Sequence, residues 1–291
     1  MLFVTGGNGH FAGSVIANLR ASGHTASLIV GTRDPHSPFA REYAEAGIAV
    51  RKADFDDPAS LRQAMAGAEK ALIIPTMAPN DSRIVQNRTA VEAAKASGVR
   101  HLVYASFINA SEISFAEHNR LVHYPTEQAI RASGLSFTIL RHALYAELMT
   151  TNLQETLASG LLYRAGGDAR CAYIGRDDLG ISAARVLASD GHEGRVYTET
   201  MAETVSGAEA AALMSEVFGT PVAYRAVPSG EWAEYMSRAW GVPLYAAQSA
   251  VGTMRAVETG EFDIASHDYA EITGHPPRTF RRFLEDVRDR G

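Results

Sequence analysis

The stretch MLFVTGGNGHFAGSVIANLR, residues 1–20, decides the fold. The apolar run 2–5 predicts one buried parallel strand, and the segment Gly6–Gly9 that follows cannot stay extended. Apolar side chains then recur at helical spacing, at Phe11, Val15, Ile16 and Leu19. Glycines let a backbone approach a pyrophosphate closely, and a helix N-terminus offers it free N–H groups. A glycine turn that binds nothing is the alternative, but a strand and a helix flank this one, which favours a dinucleotide-binding corner.

Composition excludes several classes of protein. The chain has 291 residues, enough for one large domain or two modest ones. It is 46% hydrophobic and 21% charged, as soluble globular proteins are. The formal net charge of -6 gives no basic footprint for nucleic acid, and no apolar run is long enough for a membrane span. We therefore expect neither a nucleic-acid nor a membrane partner.

Cysteine usage and the start of the chain bear on location. Cys171 is the only cysteine, so neither an intramolecular disulfide nor a cysteine metal cluster is expected, and we predict no metal site. The first strand begins at Leu2, which leaves no room for a signal peptide. We expect a cytoplasmic protein, and a homodimer is possible by general precedent.

The end of the second predicted strand indicates which dinucleotide binds. Residues 26–31, ASLIVG, predict that strand, and Arg33 and Asp34 follow it. At this position a carboxylate would accept a hydrogen bond from a ribose 2′-hydroxyl, whereas an arginine matches a 2′-phosphate. A solvated loop arginine is the alternative. The position of Arg33 favours NADP(H).

Strands and helices alternate as far as residue 141, and this alternation predicts the fold class. Further short apolar runs predict strands at 49–53, 70–74, 101–105 and 135–140. The pattern is that of an α/β protein with a Rossmann doubly wound parallel sheet. After Arg141 the pattern changes: 143–159 is predicted mostly helical, and shorter strands and helices follow in a smaller α/β C-terminal lobe. In that part of the chain Ser206 is the predicted cap of a helix that starts at Gly207. We assign residues 1–141, plus about 171–200, to an NADP(H)-binding Rossmann domain, and 142–170 and 201–291 to a smaller substrate-binding lobe.

Two loops at strand ends are expected beside the cofactor. Asp54 and Phe55 follow the third strand, where the adenine lies in this fold, while Asp57 with Pro58 predicts a helix start. The proline-bracketed loop Pro75–Pro79 follows the fourth strand, where the nicotinamide would pass.

A tyrosine in the fifth helical region needs separate treatment. Short-chain dehydrogenases use a tyrosine and a lysine four residues apart, and the lysine lowers the pKa of the phenol. Here Tyr124 is followed by Pro125 and then by Gln128, which has no charge with which to do this. Proline disfavours the helical region for the residue before it, so we expect Tyr124 to tend towards an extended conformation and a helix to start or kink here, in which case Tyr124 and Gln128 need not share a face. The relay is therefore predicted to be absent.

The chain resembles the NmrA-like family of atypical short-chain dehydrogenases, including its quinone reductases and triphenylmethane reductases. The resemblance rests on segments spread along the whole chain: TGGNGHFAG, TRDP, ADFDDPASL, AVEAAKASGVRHLVYASF, ILRHALYAEL, GHEGRVYTET and GEFDIASHDYAEITGHPPRTF. It implies a Rossmann domain with a small C-terminal lobe, an NADP(H) site and a substrate cleft between them.

The resemblance also implies site residues. The pyrophosphate would lie against Gly6, Gly9 and Phe11, with Thr5 and His10 beside it, and Arg33 would meet the 2′-phosphate. Asp54, Phe55, Pro75, Thr76, Met77, Ser106, Phe107 and Gln128 complete the expected cofactor site. His142, Tyr145 and Glu147 stand where the family has its motif after the sixth strand. Leu148 replaces the asparagine that is usual there, which weakens that transfer.

Without a proton relay, the chemistry depends mainly on orientation, because the cofactor carries the difficult step. An electron-poor acceptor such as a quinone, an aryl cation dye or a nitroaromatic takes hydride with little acid assistance. The catalytic candidates are Ser106, Tyr124, His142 and Tyr145, and the histidines His118 and His123 could also supply a proton. For each histidine a structural or solvated role is the more common alternative.

The same absence leaves two functions open. An NADPH-dependent reductase with a small aromatic substrate is the first, and its predicted substrate pocket contains Phe107, Tyr145, Trp232 and Tyr235. Trp232, Tyr235, Met236 and Trp240 form an aromatic stripe that could equally be core. An NADP(H)-binding redox sensor without catalysis is the second.

Overall fold

A seven-stranded parallel sheet forms the centre of the molecule. The computed structural model describes residues 1–290, and for Trp240, Tyr245, Ala246 and Ser249 it describes the backbone alone. The strands are β1 (Leu2–Val4), β2 (Leu28–Thr32), β3 (Ala49–Lys52), β4 (Lys70–Ile73), β5 (His101–Phe107), β6 (Ser136–His142), β7 (Leu144–Tyr145), β8 (Leu161–Arg164), β9 (Arg170–Cys171), β10 (Tyr173–Ile174), β11 (Arg195–Glu199), β12 (Val205–Ser206) and β13 (Ala223–Ala226). The central sheet has the order β11-β6-β5-β4-β1-β2-β3, and every pairing in it is parallel.

Helices cover both faces of this sheet. They are α1 (His10–Ala21), α2 (Pro38–Glu45), α3 (Pro58–Met65), α4 (Asn80–Ala96), α5 (Tyr124–Ala132), α6 (Leu153–Ser159), α7 (Arg176–Ala188), α8 (Gly207–Phe218), α9 (Ser229–Trp240), α10 (Leu244–Glu258), α11 (Asp268–Thr273) and α12 (Phe280–Arg290). Because helices pack on both sides, β1, β2 and β4 are buried along their whole length, which is why their sequences are continuous apolar runs rather than alternating ones.

The strand order places the site. From β1 the chain runs outward through β2 to β3, and it then returns to the other side of β1 as β4. This reversal opens a crevice at the carboxyl ends of β1 and β4, where open α/β sheets bind their ligands. The sheet thus confirms the predicted α/β Rossmann class.

Helices α1 and α7 approach each other closely at a glycine. A Cβ placed on Gly180 of α7 would lie 2.0 Å from Ser14 Oγ and 2.9 Å from the Ser14 carbonyl carbon of α1. Real Cβ atoms are not found at such distances, so the helix pair holds this separation only with glycine at 180.

Helix starts follow the sequence closely. The Asp57 carboxylate accepts from the N–H groups of Ala59 and Ser60, with Pro58 in the first turn of α3 as predicted. Ser206 caps α8 and forms a capping box with Glu209. Both caps are confirmed because side-chain capping is a local interaction.

One local prediction is confirmed and another is wrong. The segment 143–159 is mostly helical, as expected, with a 3₁₀ turn over Ala146–Met149 and α6 at its end, although it also contains β7. Tyr124 is not extended: its φ of -58° and ψ of -52° are helical. A π-helical turn over Asn119–His123 precedes it, and its wider ring accommodates Pro125 without breaking the helix.

Beyond the central sheet, three strand pairs are small. β10 pairs with β7, β12 with β9 and β13 with β8. The assignment of residues to two domains stays a prediction. Of the residues that the structure describes, no helix is both long and apolar enough to cross a membrane.

Candidate active site

The glycine corner between β1 and α1 is built to receive an anion. Gly6 has a φ of +71°, a conformation that favours glycine, and its carbonyl accepts from the Gly9 N–H at 2.8 Å. Gly9 is the N-cap of α1 and has no side chain with which to cap it. A Cβ on Gly7 would lie 2.4 Å from Val30 Cγ1, so the loop packs directly on β2. The exposed N–H groups at the start of α1 therefore face the crevice, and they fit a pyrophosphate.

Neighbouring side chains hold this corner in place. The Thr5 hydroxyl, fully buried, donates to the Leu72 carbonyl and accepts from the Ile74 N–H at 2.7 Å, which ties β1 to β4. The Tyr43 hydroxyl donates to the Gly7 carbonyl at 3.1 Å. His10, predicted beside the cofactor, is half-exposed in the first turn of α1, with Nε2 3.3 Å from Asp177. Thr5 thus positions the loop rather than presenting its hydroxyl to solvent.

Arg33 lies immediately after β2, as the sequence predicted. It is exposed, and it forms no hydrogen bond or ion pair with any other residue that the structure describes. The Asp34 carboxylate is engaged, because its Oδ1 accepts from the His36 N–H at 2.8 Å in a local turn. An available guanidinium next to a committed carboxylate matches a 2′-phosphate better than a 2′-hydroxyl.

A polar bridge joins the loops after β3 and β4. Gln86 of α4, buried, donates to Asp56 Oδ1 at 2.9 Å and accepts from the Thr76 hydroxyl. Thr76 is half-buried at the rim of the crevice, next to Pro75, and Met77 beside it is 95% exposed.

The adenine-side residues are placed differently from one another. Phe55 is buried in the core between α3 and the sheet. The Asp54 carboxylate accepts from the Asp56 N–H at 3.1 Å. Asp54 therefore shapes its own loop, and Phe55 supports the loop from beneath.

Ser106 is committed to a buried ion pair. Its hydroxyl donates to Glu127 Oε1 at 2.6 Å, and the same carboxylate receives two hydrogen bonds from Arg141, at 2.9 and 2.6 Å. Glu127 is only 1% exposed. Since the Ser106 hydroxyl donates its hydrogen bond to a carboxylate inside the protein, it is in a poor position to act on a substrate. Its neighbour Phe107, one residue further along β5, points to the opposite face.

Tyr124 and Gln128 share a face of α5, because they are four residues apart in one helix. Pro125 therefore does not separate them. Tyr124 is half-buried and Gln128 is exposed. The amide of Gln128 still supplies no positive charge, so the absence of a tyrosine–lysine relay stands on residue identity alone.

Phe107 is at the centre of an aromatic group at the carboxyl end of β5. Its ring centroid lies 4.6 Å from that of His118, 6.1 Å from that of His123 and 5.6 Å from that of Phe262, which is fully buried. Burial, followed by the nearby Arg83 charge, lowers the pKa of His118 to about 4. Burial also holds the pKa of His123 well below its usual range. Both histidines are thus neutral bases near pH 7, not proton donors.

Arg83 of α4 fixes the tautomer of His123. Its Nη2 lies 3.3 Å from His123 Nε2, and a guanidinium only donates, so Nε2 is the acceptor and the proton of the neutral ring is on Nδ1. Nδ1 in turn lies 3.1 Å from the Tyr104 hydroxyl, which also receives a hydrogen bond from Asn87. Sequence reasoning missed Arg83, because its contact with His123 joins residues 40 positions apart.

A second buried pair lies at the ends of β6 and β11. His142 Nε2 is 3.4 Å from Glu199 Oε2, and both side chains are almost fully buried. The His142 ring packs edge-on against Phe11, with centroids 5.0 Å apart. The pair therefore lies beneath α1 and the glycine corner.

Tyr145 and Glu147 lie beside this pair. Arg176 stacks over the Tyr145 ring at 4.7 Å, and burial raises the pKa of Tyr145. Glu147 Oε1 accepts from the Arg176 N–H at 2.9 Å, which satisfies the first residue of α7. The candidates after β6 are thus brought together near Phe107 and α1.

Trp232 and Tyr235 occupy another region. Trp232 is buried, with the Arg164 guanidinium 5.3 Å from its ring, and Tyr235 donates to Glu155 at 3.0 Å. Tyr235 also packs on Tyr163, with ring centroids 4.8 Å apart. These contacts are made with β8 and α6, which favours the core interpretation of the aromatic stripe; the Trp240 side chain lies outside the described atoms.

A switch-point crevice, a glycine corner and an uncapped helix N-terminus together define a dinucleotide-binding Rossmann protein. The model of the NmrA-like family matches residues 1–283, and the chain belongs to that family.

Known proteins resemble the chain over its full length. Quinone oxidoreductase 2 of Escherichia coli is 31% identical over 284 residues, covering 96% of each chain. The crystal structure of an NADPH-dependent quinone oxidoreductase from the same organism, complexed with NADPH, is 28% identical with a TM-score of 0.91, covering 99% of each chain. The Citrobacter triphenylmethane reductase complexed with NADP(H) is 30% identical with a TM-score of 0.91, covering 99% of each chain.

Proposed function

We propose that this protein is an NADPH-dependent reductase that transfers hydride to quinone-like or other electron-poor aromatic acceptors. The coarser statement, that it is an NAD(P)H-dependent oxidoreductase, agrees with the relatives named above, which are reductases similar over almost the whole chain. The acceptor class is the finer part of the proposal, and it follows from the chemistry of the site.

Different residues of the chain bind the cofactor and the acceptor. The glycine corner with the first N–H groups of α1 binds the pyrophosphate, and Arg33 binds the 2′-phosphate. Once bound, the cofactor supplies the hydride. Phe107 and its neighbouring rings offer an aromatic wall against which an aromatic acceptor stacks, and Tyr145 borders the same space. The proposed lobe formed by 142–170 and 201–291 closes the site over the acceptor.

The lack of a proton relay in the site favours electron-poor acceptors. Ser106 is hydrogen-bonded to Glu127, His118 and His123 are neutral, and Gln128 has replaced the lysine of the relay. An alcohol–ketone reaction needs a proton delivered in step with the hydride, whereas a quinone accepts hydride first and takes its proton from solvent afterwards. The observation that carries the proposal is this pairing of a complete cofactor corner with a site that lacks the tyrosine–lysine relay.

The first experiment follows NADPH oxidation with a panel of small quinones, nitroaromatics and aryl cation dyes. We expect turnover with at least one class; if the purified protein oxidises NADPH with none, the proposal is wrong.

Cofactor choice is tested with Arg33→Ala. We expect NADPH to bind on the order of 10-fold more weakly, with NADH binding unchanged, because one exposed charge-assisted contact is lost. Arg41→Ala, which removes an exposed arginine from the adjacent helix α2, is the matched control. Equal weakening of NADPH and NADH would remove Arg33 from the 2′-phosphate site.

A redox sensor without catalysis is the second candidate, and the missing acid also favours it. It predicts tight binding that distinguishes NADPH from NADP+ and no acceptor-dependent oxidation. Calorimetry with both forms, beside the acceptor panel, separates the two functions.

A further inference from the structure

Arg83 is a cation at the carboxyl edge of the sheet for which the cofactor site has no evident use. It is in the first turns of α4, half-buried, and its Nη2 contacts the neutral ring of His123 at 3.3 Å. Its Nε is buried and has no hydrogen-bond partner in the described chain. Burial lowers the pKa of Arg83 from its ordinary value, but an arginine remains charged near pH 7.

The charge of Arg83 is not neutralised by a neighbouring carboxylate. The buried carboxylates of this edge have other partners: Glu127 binds Arg141 and Ser106, Glu147 binds the Arg176 N–H, and Glu199 lies against His142. Within the residues that the structure describes, no ion pair includes Arg83, since its polar contact is with a neutral histidine. An arginine held this way is costly unless something else uses it, because a buried charge is normally paired.

The location of Arg83 is defined by the group around it. His123 joins it to the Phe107 ring, which stacks at 28° to the His123 ring with centroids 6.1 Å apart, and to His118 at 5.9 Å. Tyr145 is close enough for the charge on Arg83 to act on its pKa. The guanidinium therefore lies beside the apolar wall on which an aromatic acceptor would stack.

We propose that Arg83 donates a hydrogen bond to the oxygen of a neutral carbonyl acceptor and stabilises the oxyanion formed by hydride addition, so that the site prefers quinones to cationic dyes. This inference rests on the proposed function and names the acceptor class of the same site. NADPH loses a hydride and becomes NADP+, the quinone gains it and becomes the hydroquinone monoanion, and a proton from solvent completes the hydroquinone. Arg83 stays protonated throughout, and its contribution is electrostatic.

The two kinds of acceptor differ in how their charge changes. A quinone begins neutral and becomes anionic, so a fixed cation stabilises its transition state more than its ground state. A triphenylmethane dye begins as a cation and becomes neutral, so the same arginine disfavours its binding and gains nothing during transfer. The ratio of kcat/KM for the two substrates therefore reports on Arg83.

The test compares wild-type protein with Arg83→Met and Arg83→Lys. Met keeps the apolar stem and removes the charge, and Lys keeps the charge without the fork of donors. With menadione as the quinone, we expect kcat/KM to fall about 10- to 100-fold in Arg83→Met, near the low end of what the loss of an oxyanion donor costs, and less in Arg83→Lys. With crystal violet as the cation, we expect no loss or a gain. Arg88→Met, an exposed arginine on the same helix, is the control and should leave both substrates unchanged.

Two further measurements keep the outcomes distinct. Calorimetric NADPH affinity should be the same within about 2-fold in Arg83→Met, so a large loss would assign Arg83 to the cofactor and overturn the inference. Equal losses of kcat/KM with menadione and with crystal violet would also overturn the inference. Binding of dinitrophenolate to the NADP+ complex, followed by absorbance, should weaken in Arg83→Met even if no acceptor turns over. If the wild-type protein turns over no acceptor but its anion binding depends on Arg83, the proposed reductase function is wrong and the anion site is retained. If Arg83→Met keeps both turnover and anion binding, the inference about Arg83 alone is wrong.

Discussion

The two ends of strand β5 differ in how completely their buried polar side chains are hydrogen-bonded. At the amino end, His101 hydrogen-bonds Thr138 at 2.8 Å, and Lys70 of the next strand binds Asp190 at 2.9 Å and the Ser189 carbonyl. Of the buried polar atoms there, His101 Nδ1 lacks a hydrogen bond, and it is still 3.7 Å from Glu193.

At the carboxyl end, several buried polar atoms lack hydrogen bonds. They are Arg83 Nε, Asn87 Oδ1, Asn119 Oδ1, Glu147 Oε2 and Glu199 Oε1, while His142 Nε2 and Glu199 Oε2 face each other at 3.4 Å without a hydrogen bond. Such atoms cost free energy, and native proteins keep few of them. The amino end is therefore arranged for stability, and the carboxyl end keeps buried polar atoms without hydrogen bonds at the expense of stability.

The Glu127–Arg141 pair is the exception at the carboxyl end, and its removal should have the largest effect. We expect Glu127→Ala to lower the free energy of unfolding by about 3–5 kcal/mol, because it leaves the Arg141 charge and the Ser106 hydroxyl without their buried partner. Glu69→Ala, which breaks the exposed pair with Arg100 at the amino end, should cost about 1 kcal/mol or less. Urea unfolding measures both, and equal losses would contradict the larger cost expected for the buried pair.

Acid should destabilise the carboxyl end of the sheet through His118. The pKa of His118 is about 4 in the folded chain and 6.5 in its ordinary state, so the unfolded chain binds more protons between these values. The stability from the neutral ring is fully present above about pH 6.5 and is lost as the pH falls towards 4, by on the order of 3 kcal/mol at about 1.4 kcal/mol per pKa unit. His118→Gln should flatten this part of the pH profile of unfolding, with the exposed His36→Gln as control. An unchanged slope in His118→Gln would show that other groups control it.

The smallest effect should come from Tyr124. If no relay operates, Tyr124→Phe changes kcat by less than about 2-fold, whereas loss of a working general acid costs about 100-fold or more. Steady-state kinetics with a quinone decides between the two, and a large loss would restore Tyr124 to the mechanism despite Gln128.

Local signals carried most of the fold. The glycine corner, the strand after it and the caps at Asp57 and Ser206 depend on residues a few positions apart, and the structure confirms these elements. The same reasoning failed where two local rules competed. Proline disfavours helix for Tyr124, yet the preceding turn widened and the helix formed.

The site was less predictable because its decisive contacts are distant in sequence. By residue type and position Ser106 resembles a catalytic hydroxyl. In the structure it donates to Glu127 of α5, which is paired with Arg141 of β6. Arg83 carried no local signal, and its significance comes from His123, 40 positions later. Residue type and spacing do not reveal which buried groups lack a partner; only the assembled packing does.

The contact between Gly180 and Ser14 has an evolutionary consequence. A side chain at 180 would meet not only the Ser14 hydroxyl but also the backbone of α1, so no replacement at 14 makes room for it. Substitution at 180 can be accommodated only by moving α1 as a body, and the corner that starts α1 would move with it. The cofactor therefore constrains position 180 although it does not contact it. A substitution there should appear first as a change in cofactor affinity.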